Sequence, residues 1–148
     1  MDLRESFLAK FGSSSNSTAS LCILESSVSN FRKNIAPYVE AEISKSKDKE
    51  KSGCYDDSFA HLENAHVLGQ ESTYWHVKVH YLMFLWGIRH KDVKEVFGQF
   101  IRIIGAAALT SIKGVPIGNT GGSNVSPVKP MPIKPEHAEI IAKVKSNA

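Results

Sequence analysis

Along this chain, apolar residues recur at helical spacing in short runs, and clusters of turn-forming residues separate the runs. Leu3, Phe7, Leu8 and Phe11 form a brief amphipathic segment at the start. Residues 12–20 are rich in Gly, Ser and Asn, which reads as a flexible linker, and residues 21–31 carry too many serines for a clear stripe. Residues 1–34 are therefore expected to be a flexible N-terminal extension, and residues 35–148 a single helical domain. A first helix is expected near Pro37, where proline suits the opening turn and Tyr38, Val39 and Ile43 supply the stripe. A second follows Asp56 and Asp57 and carries Phe59, Leu62, His66 and Val67 to a stop at Gly69. Ser72 or Thr73 caps a third, through Trp75, Val79, Leu82, Met83 and Trp86 to about Arg89. Asp92 with Glu95 begins a fourth, on which Val93, Val96, Phe97, Phe100 and Ile104 are expected to form a buried face.

Beyond Ile112 the pattern breaks. Residues 113–135 hold closely spaced glycines and prolines that no long regular helix accommodates, so this stretch is expected to be a Gly/Pro-rich loop. Pro135 then opens a short C-terminal helix anchored by Ile140, Ile141 and Val144. The short connections at 69–72 and 90–91 make consecutive helices antiparallel neighbours. The segments ending in Gly69 and in Gly105 echo one another near the tetratricopeptide period of about 34 residues. The expected fold class is all-α, either a compact bundle or a tetratricopeptide-like array of antiparallel helical hairpins.

Composition adds limits. The chain has 148 residues, 42% hydrophobic and 22% charged, which is ordinary for a globular domain able to bury its own core. Its net charge is +3, and the densest basic stretch, residues 45–51, is interrupted by Asp48 and Glu50. That mixing of signs argues against a nucleic-acid surface. The longest apolar runs, 81–88 and 101–112, fall short of the roughly 20 residues of a membrane span. Without a secretory or organelle leader in the first residues, the cytoplasm is the expected compartment. Cys22 and Cys54 match no zinc-binding or redox spacing, and their pairing stays open.

The chemistry concentrates in the second and third helices. Five of the six histidines (His61, His66, His76, His80 and His90) lie in one stretch. Glu63 and His66 are three apart and His76 and His80 four apart, so each pair shares a helix face. Closing the hairpin about residues 70–72 sets His66 level with His76 and brings Glu63 or Leu62 level with His80. Three imidazoles and one carboxylate then converge as candidate ligands for a divalent transition metal, zinc first among nickel, copper and iron. The competing reading makes the same histidines hydrogen-bonding residues of the interior. His90 is expected at a helix C-terminus instead. The aromatic neighbours Tyr74, Trp75, Tyr81, Phe84 and Trp86 suit either a ligand pocket or ordinary helical packing, and packing is the more frequent case.

The loop residues Gly118, Asn119, Thr120, Gly121 and Gly122 are a second candidate site. Backbone N–H groups there could cradle a phosphate, but neither a P-loop lysine nor a dinucleotide fingerprint accompanies them, and tight turns explain the glycines more simply. If the histidines hold a metal, this loop is expected to fold over the hairpin. No nucleophile elbow or activated cysteine is present, so the balance leans away from an enzyme; a metal-bound water beside Glu63 or Glu71 is the one catalytic route left open.

Five stretches are similar to a known family: Pro37-Tyr38-Val39-Glu40-Ala41-Glu42, the run His61 to Gln70, His76-Val77-Lys78-Val79-His80, the run Val115 to Gly122, and Pro130-Met131-Pro132-Ile133. Over residues 37–133 the chain resembles the domain of unknown function 3703 family, which is largely bacterial. The resemblance implies that the histidine hairpin and the glycine loop belong to one compact unit. It brings no activity and no functional residues. Three function classes follow: a small metal- or ligand-binding helical protein, a helical protein–protein interaction module without a metal, and a metal-dependent enzyme. The partner is accordingly a protein or a small ligand of unspecified kind, and the oligomeric state is open.

Overall fold

The structure, a computed structural model, describes the backbone of residues 14–109 and 116–148 and the side chains of residues 30–107 and 116–148. The amphipathic segment at 3–11 lies outside the described residues, as do Lys113, Gly114 and Val115 at the start of the Gly/Pro-rich loop. The helices are α1 (Ser14–Lys51), α2 (Tyr55–Gly69), α3 (Thr73–His90), α4 (Val93–Leu109) and α5 (Pro135–Ser146), with no strand among the described residues. They form an all-α bundle of two antiparallel hairpins, α1 with α2 and α3 with α4, to which α5 adds against α1 and α2. None of these helices is long and apolar enough to cross a membrane.

Helix α1 begins upstream of the expected start at Pro37 and passes through that proline. The reason lies in the core stripe. Phe31 and Ile35 are buried before the proline and Val39 and Ile43 after it, at the four-residue spacing of one helix face. A continuous helix is the conformation that keeps all four aligned. Pro37 itself is exposed, as is Lys33, whose carbonyl loses its helical donor there, so water can satisfy that oxygen. The helix propensity lost at proline is thus offset by burial on both sides.

The remaining boundaries follow local chemistry. Ser72 precedes α3 in an extended conformation, and Lys91 ends it in the left-handed region. The Asp92 carboxylate accepts the Glu95 N–H at 2.9 Å, capping α4. Pro135 opens α5. At the α2–α3 turn a Cβ on Gly69 would stand 2.8 Å from the Trp75 Cβ, so glycine permits the two helices to close on each other. The Trp75 indole donates to the Arg32 carbonyl at 3.0 Å and fastens α3 to α1. His90 sits in the last turn of α3, bonded at 2.8 Å to Glu50, which also receives Arg89.

The core joins Phe31, Ile35, Val39 and Ile43 of α1 to Leu62 and Leu68 of α2, Trp75, Val79, Met83 and Trp86 of α3, and Ile141 and Val144 of α5. Among the described residues, helix α4 contributes none to this cluster. Four of its five expected buried positions are turned outward: Val93 is 78% exposed, Phe97 67%, Phe100 56% and Ile104 60%, while Val96 is half-buried against Gly87 of α3. The buried positions are Glu95, Gln99 and Ala106 instead. Periodicity located the apolar stripe but not the side that packs, because α4 meets α3 through Gln99 on His80 and only the edge of the stripe, Val96, against Gly87.

Between α1 and α2, Glu42 receives Lys45 at 2.6 Å, His61 at 2.7 Å and Asn64 at 3.1 Å. Burial pushes its carboxyl up, but these three donors outweigh it and hold the group at about 2, below the ordinary 4.5. A carboxyl lowered on folding stabilises the fold above its unfolded value, and that stability disappears as pH falls through the folded value. Glu42→Gln is therefore expected to cost on the order of 2 kcal/mol at neutral pH, after allowance for solvent screening, and almost nothing near pH 2. Urea denaturation of both proteins across that range checks it.

Candidate metal centre

His66 belongs to the last turns of α2, while His76 and His80 lie one turn apart on α3. All three are buried, with 2%, 5% and 3% of their surface exposed. The Nε2 atom of His80 is 3.1 Å from that of His66 and 3.1 Å from that of His76. One ligand atom from each ring falls within 4.8 Å of the others, and the three residues are so placed that they could hold a metal ion. Two nitrogens bound to one tetrahedral zinc at about 2.0 Å would lie about 3.3 Å apart, close to the spacing of His80 from each of its two neighbours.

The surrounding hydrogen bonds determine where the protons sit. His66 Nδ1 is 2.8 Å from the carbonyl oxygen of Asn119. A carbonyl only accepts, so Nδ1 carries the proton and Nε2 presents a lone pair. His80 Nδ1 lies 2.6 Å from Gln99 Oε1. The orientation of that amide is settled by its nitrogen, which donates to the Glu95 carboxylate and, at 2.7 Å, to the Gly121 carbonyl. Oε1 must then face the imidazole, and His80 Nδ1 must donate. Two lone pairs consequently oppose each other across 3.1 Å in the interior. A proton between them is disfavoured. Burial lowers His66 well below the usual imidazole range, lowers His80 to about 3 with the His76 charge adding to it, and lowers His76 to about 4.

The glycine-rich loop closes over this cluster. Gly121, at φ +82°, lies flat on His66, and a Cβ there would come within 2.8 Å of the imidazole Cδ2. Asn119 braces the turn with its own side chain: Nδ2 donates to the Ser126 and Lys129 carbonyls, both at 2.8 Å, and Oδ1 accepts the Gly121 N–H at 3.0 Å. Gly118 takes the other positive φ of the loop, +74°, where a Cβ would collide with the Met131 carbonyl. The Ser123 N–H goes to Glu95 at 3.0 Å. The loop N–H groups at Gly121 and Ser123 are thus committed to side chains of this chain.

Glu63 stands apart from the three-histidine group. Its carboxylate rests against Gly122, where a Cβ would be 2.8 Å from Oε1, and faces Thr120. Burial pushes its carboxyl up; the Thr120 hydroxyl opposes this and the charge of Glu95 adds to it. Within the cluster itself, all three predicted imidazoles come together.

Sequence reasoning missed Glu95, Gln99 and Arg102. Their signal was present as polar residues at i, i+4 and i+7 on α4, opposite its apolar stripe. Arg102 donates to the Val125 carbonyl and reaches over Gly98. A cavity of about 340 Å³ opens against the three imidazoles, walled by Arg102 and by Ile101, Ala106, Pro116, Pro127 and Val128.

The family model described as protein of unknown function (DUF3703) matches residues 33–141. The chain belongs to that family. The DUF3703 match encloses the three histidines, Gln99 and the whole described part of the glycine loop, so the family's unit and the cluster coincide along the chain. Comparisons with curated proteins and with solved structures returned no match.

Proposed function

We propose that this DUF3703 protein binds a divalent transition metal, zinc first, through the Nε2 atoms of His66, His76 and His80, with the remaining coordination position turned to the cavity. The observation that carries this reading is the opposition of the His66 and His80 lone pairs at 3.1 Å, each imidazole having committed its Nδ1 proton elsewhere. A buried hydrogen-bonding role would pair a donor with an acceptor; two acceptors are held together by a cation between them. Imidazole ligands with outer partners on a backbone carbonyl and on an amide are the pattern that favours zinc. In this reading residues 118–122 form the cover of the site, with Glu63 outside the ligand set, against Gly122.

Elemental analysis of the purified, untagged protein tests the reading directly. Near-stoichiometric zinc, or another first-row metal, supports it, and a metal-free result after incubation with metal and dialysis overturns it. Gln99 provides a finer check. Gln99→Leu should leave the three ligands in place yet weaken zinc binding by about 10- to 100-fold, because the His80 tautomer and ring angle lose their support. Competition with a chromogenic chelator measures that change.

A second reading, a helical interaction module, is favoured by the outward face of α4. Val93, Phe97, Phe100 and Ile104 lie on one side of that helix, all more than half exposed. Apolar surface of this kind commonly marks a protein contact. The same elemental analysis separates the two, since a module of this type requires no metal.

A further inference from the structure

The cavity beside the histidines has a composition that selects a ligand, and the argument rests on the metal reading above. Three neutral imidazoles leave both charges of a divalent ion uncompensated, since the cluster contains no carboxylate. Arg102, half-buried on the cavity wall, adds a third positive charge. Of the nearest acidic residues, Glu95 offsets part of the Arg102 charge from outside the cavity. Glu95 directs one oxygen to the Gln99 amide and the other to the Ser123 N–H, Glu63 lies against the loop, and neither lines the space. Net positive charge in this half-open cavity attracts a counter-ion.

The remaining wall is hydrocarbon. Ile101, Ala106, Pro116, Pro127 and Val128 surround the volume in front of the imidazoles, so a hydrated inorganic anion would leave most of it unmatched. At about 340 Å³ the cavity falls at the small end of ligand pockets. Its two halves match a molecule with one anionic end and one apolar body. We propose that the cavity binds a small organic monocarboxylate, with the carboxylate on the metal and beside Arg102 and the hydrocarbon body against Ile101, Pro127 and Val128.

Calorimetric titration of the zinc-loaded full chain with hexanoate, acetate and hexanol tests this. Hexanoate is expected to bind one to one, with acetate and hexanol each weaker by about tenfold or more, because each lacks one half of the match. Arg102→Met should weaken hexanoate by about tenfold or more without changing zinc content. Ile101→Trp, at an exposed position on the cavity wall, should block hexanoate while zinc remains. Zinc uptake with hexanoate no tighter than acetate or hexanol overturns the ligand class and leaves the metal reading standing. Failure to take up zinc at all removes the metal reading and this inference together.

Discussion

Replacement of His80 by alanine is expected to abolish stoichiometric metal binding, with the largest effect of any single substitution in this protein. His80 is the middle member of the cluster, with its Nε2 3.1 Å from each of the other two. Removing it leaves His66 and His76 as a two-ligand remnant on different helices, without the third donor that a zinc site needs. Loss of an outer-shell partner costs about 10- to 100-fold in affinity, and loss of a ligand should exceed 100-fold. His66→Ala and His76→Ala should act in the same direction, the former also leaving the Asn119 carbonyl without its donor. If the imidazoles are only hydrogen-bonding residues, wild type and variants will be alike in metal content and will differ in stability alone, by about 1–3 kcal/mol for an unpaired buried partner. Metal analysis of the four proteins after identical loading distinguishes these outcomes.

Much of the architecture was legible because its signals are local. The Gly69 turn and Pro135 each announce a helix end by a mechanism that acts within a few residues, and the helix bounds follow them, while Ser72 precedes α3 without a side-chain capping bond. Pro37 misled for a related reason. Read alone it is a helix start, whereas Phe31 and Ile35 upstream are buried against other helices, and only tertiary packing makes a serine-rich, proline-containing stretch one continuous helix. Helix α4 is the deeper case. A hydrophobic stripe ordinarily identifies the buried side, but Glu95 and Gln99 occupy that side here because His80 and the loop need their hydrogen bonds.

The candidate site divides along the same line. Helical spacing was sufficient to place His76 and His80 on one face, and the short turn was sufficient to bring His66 opposite them. Nothing in spacing indicates which nitrogen carries a proton. That depends on Asn119, 53 residues beyond His66, and on Gln99, 19 residues beyond His80. The glycines of the loop were readable as turn formers, but their purpose was not. Gly121 is small because an imidazole lies where its side chain would be, a contact that exists only once the loop has crossed the hairpin.

Metal loading is expected to raise the melting temperature by roughly 10 °C relative to chelator-treated protein. A ligand that binds only the folded state at about 1,000 times its dissociation constant adds about 4 kcal/mol, which for a domain of this length corresponds to a shift of that size. The stabilisation should be local in origin. A metal on His66, His76 and His80 ties the end of α2 to the start of α3, and through the His66–Asn119 bond it holds the glycine loop against both. It makes no contact with the opposite end of the α1–α2 hairpin, where Ser46 meets Ser58 at 3.1 Å and Lys49 meets Asp57 at 2.9 Å. Amide hydrogen exchange should therefore show the local gain in protection at residues 117–123 and around the turn at 69–72, while residues 46–58 gain only where they open with the whole fold. Absence of any gain at residues 117–123 and 69–72 would instead place the stabilising ion outside the histidine cluster, since a cross-link slows the local openings that it spans.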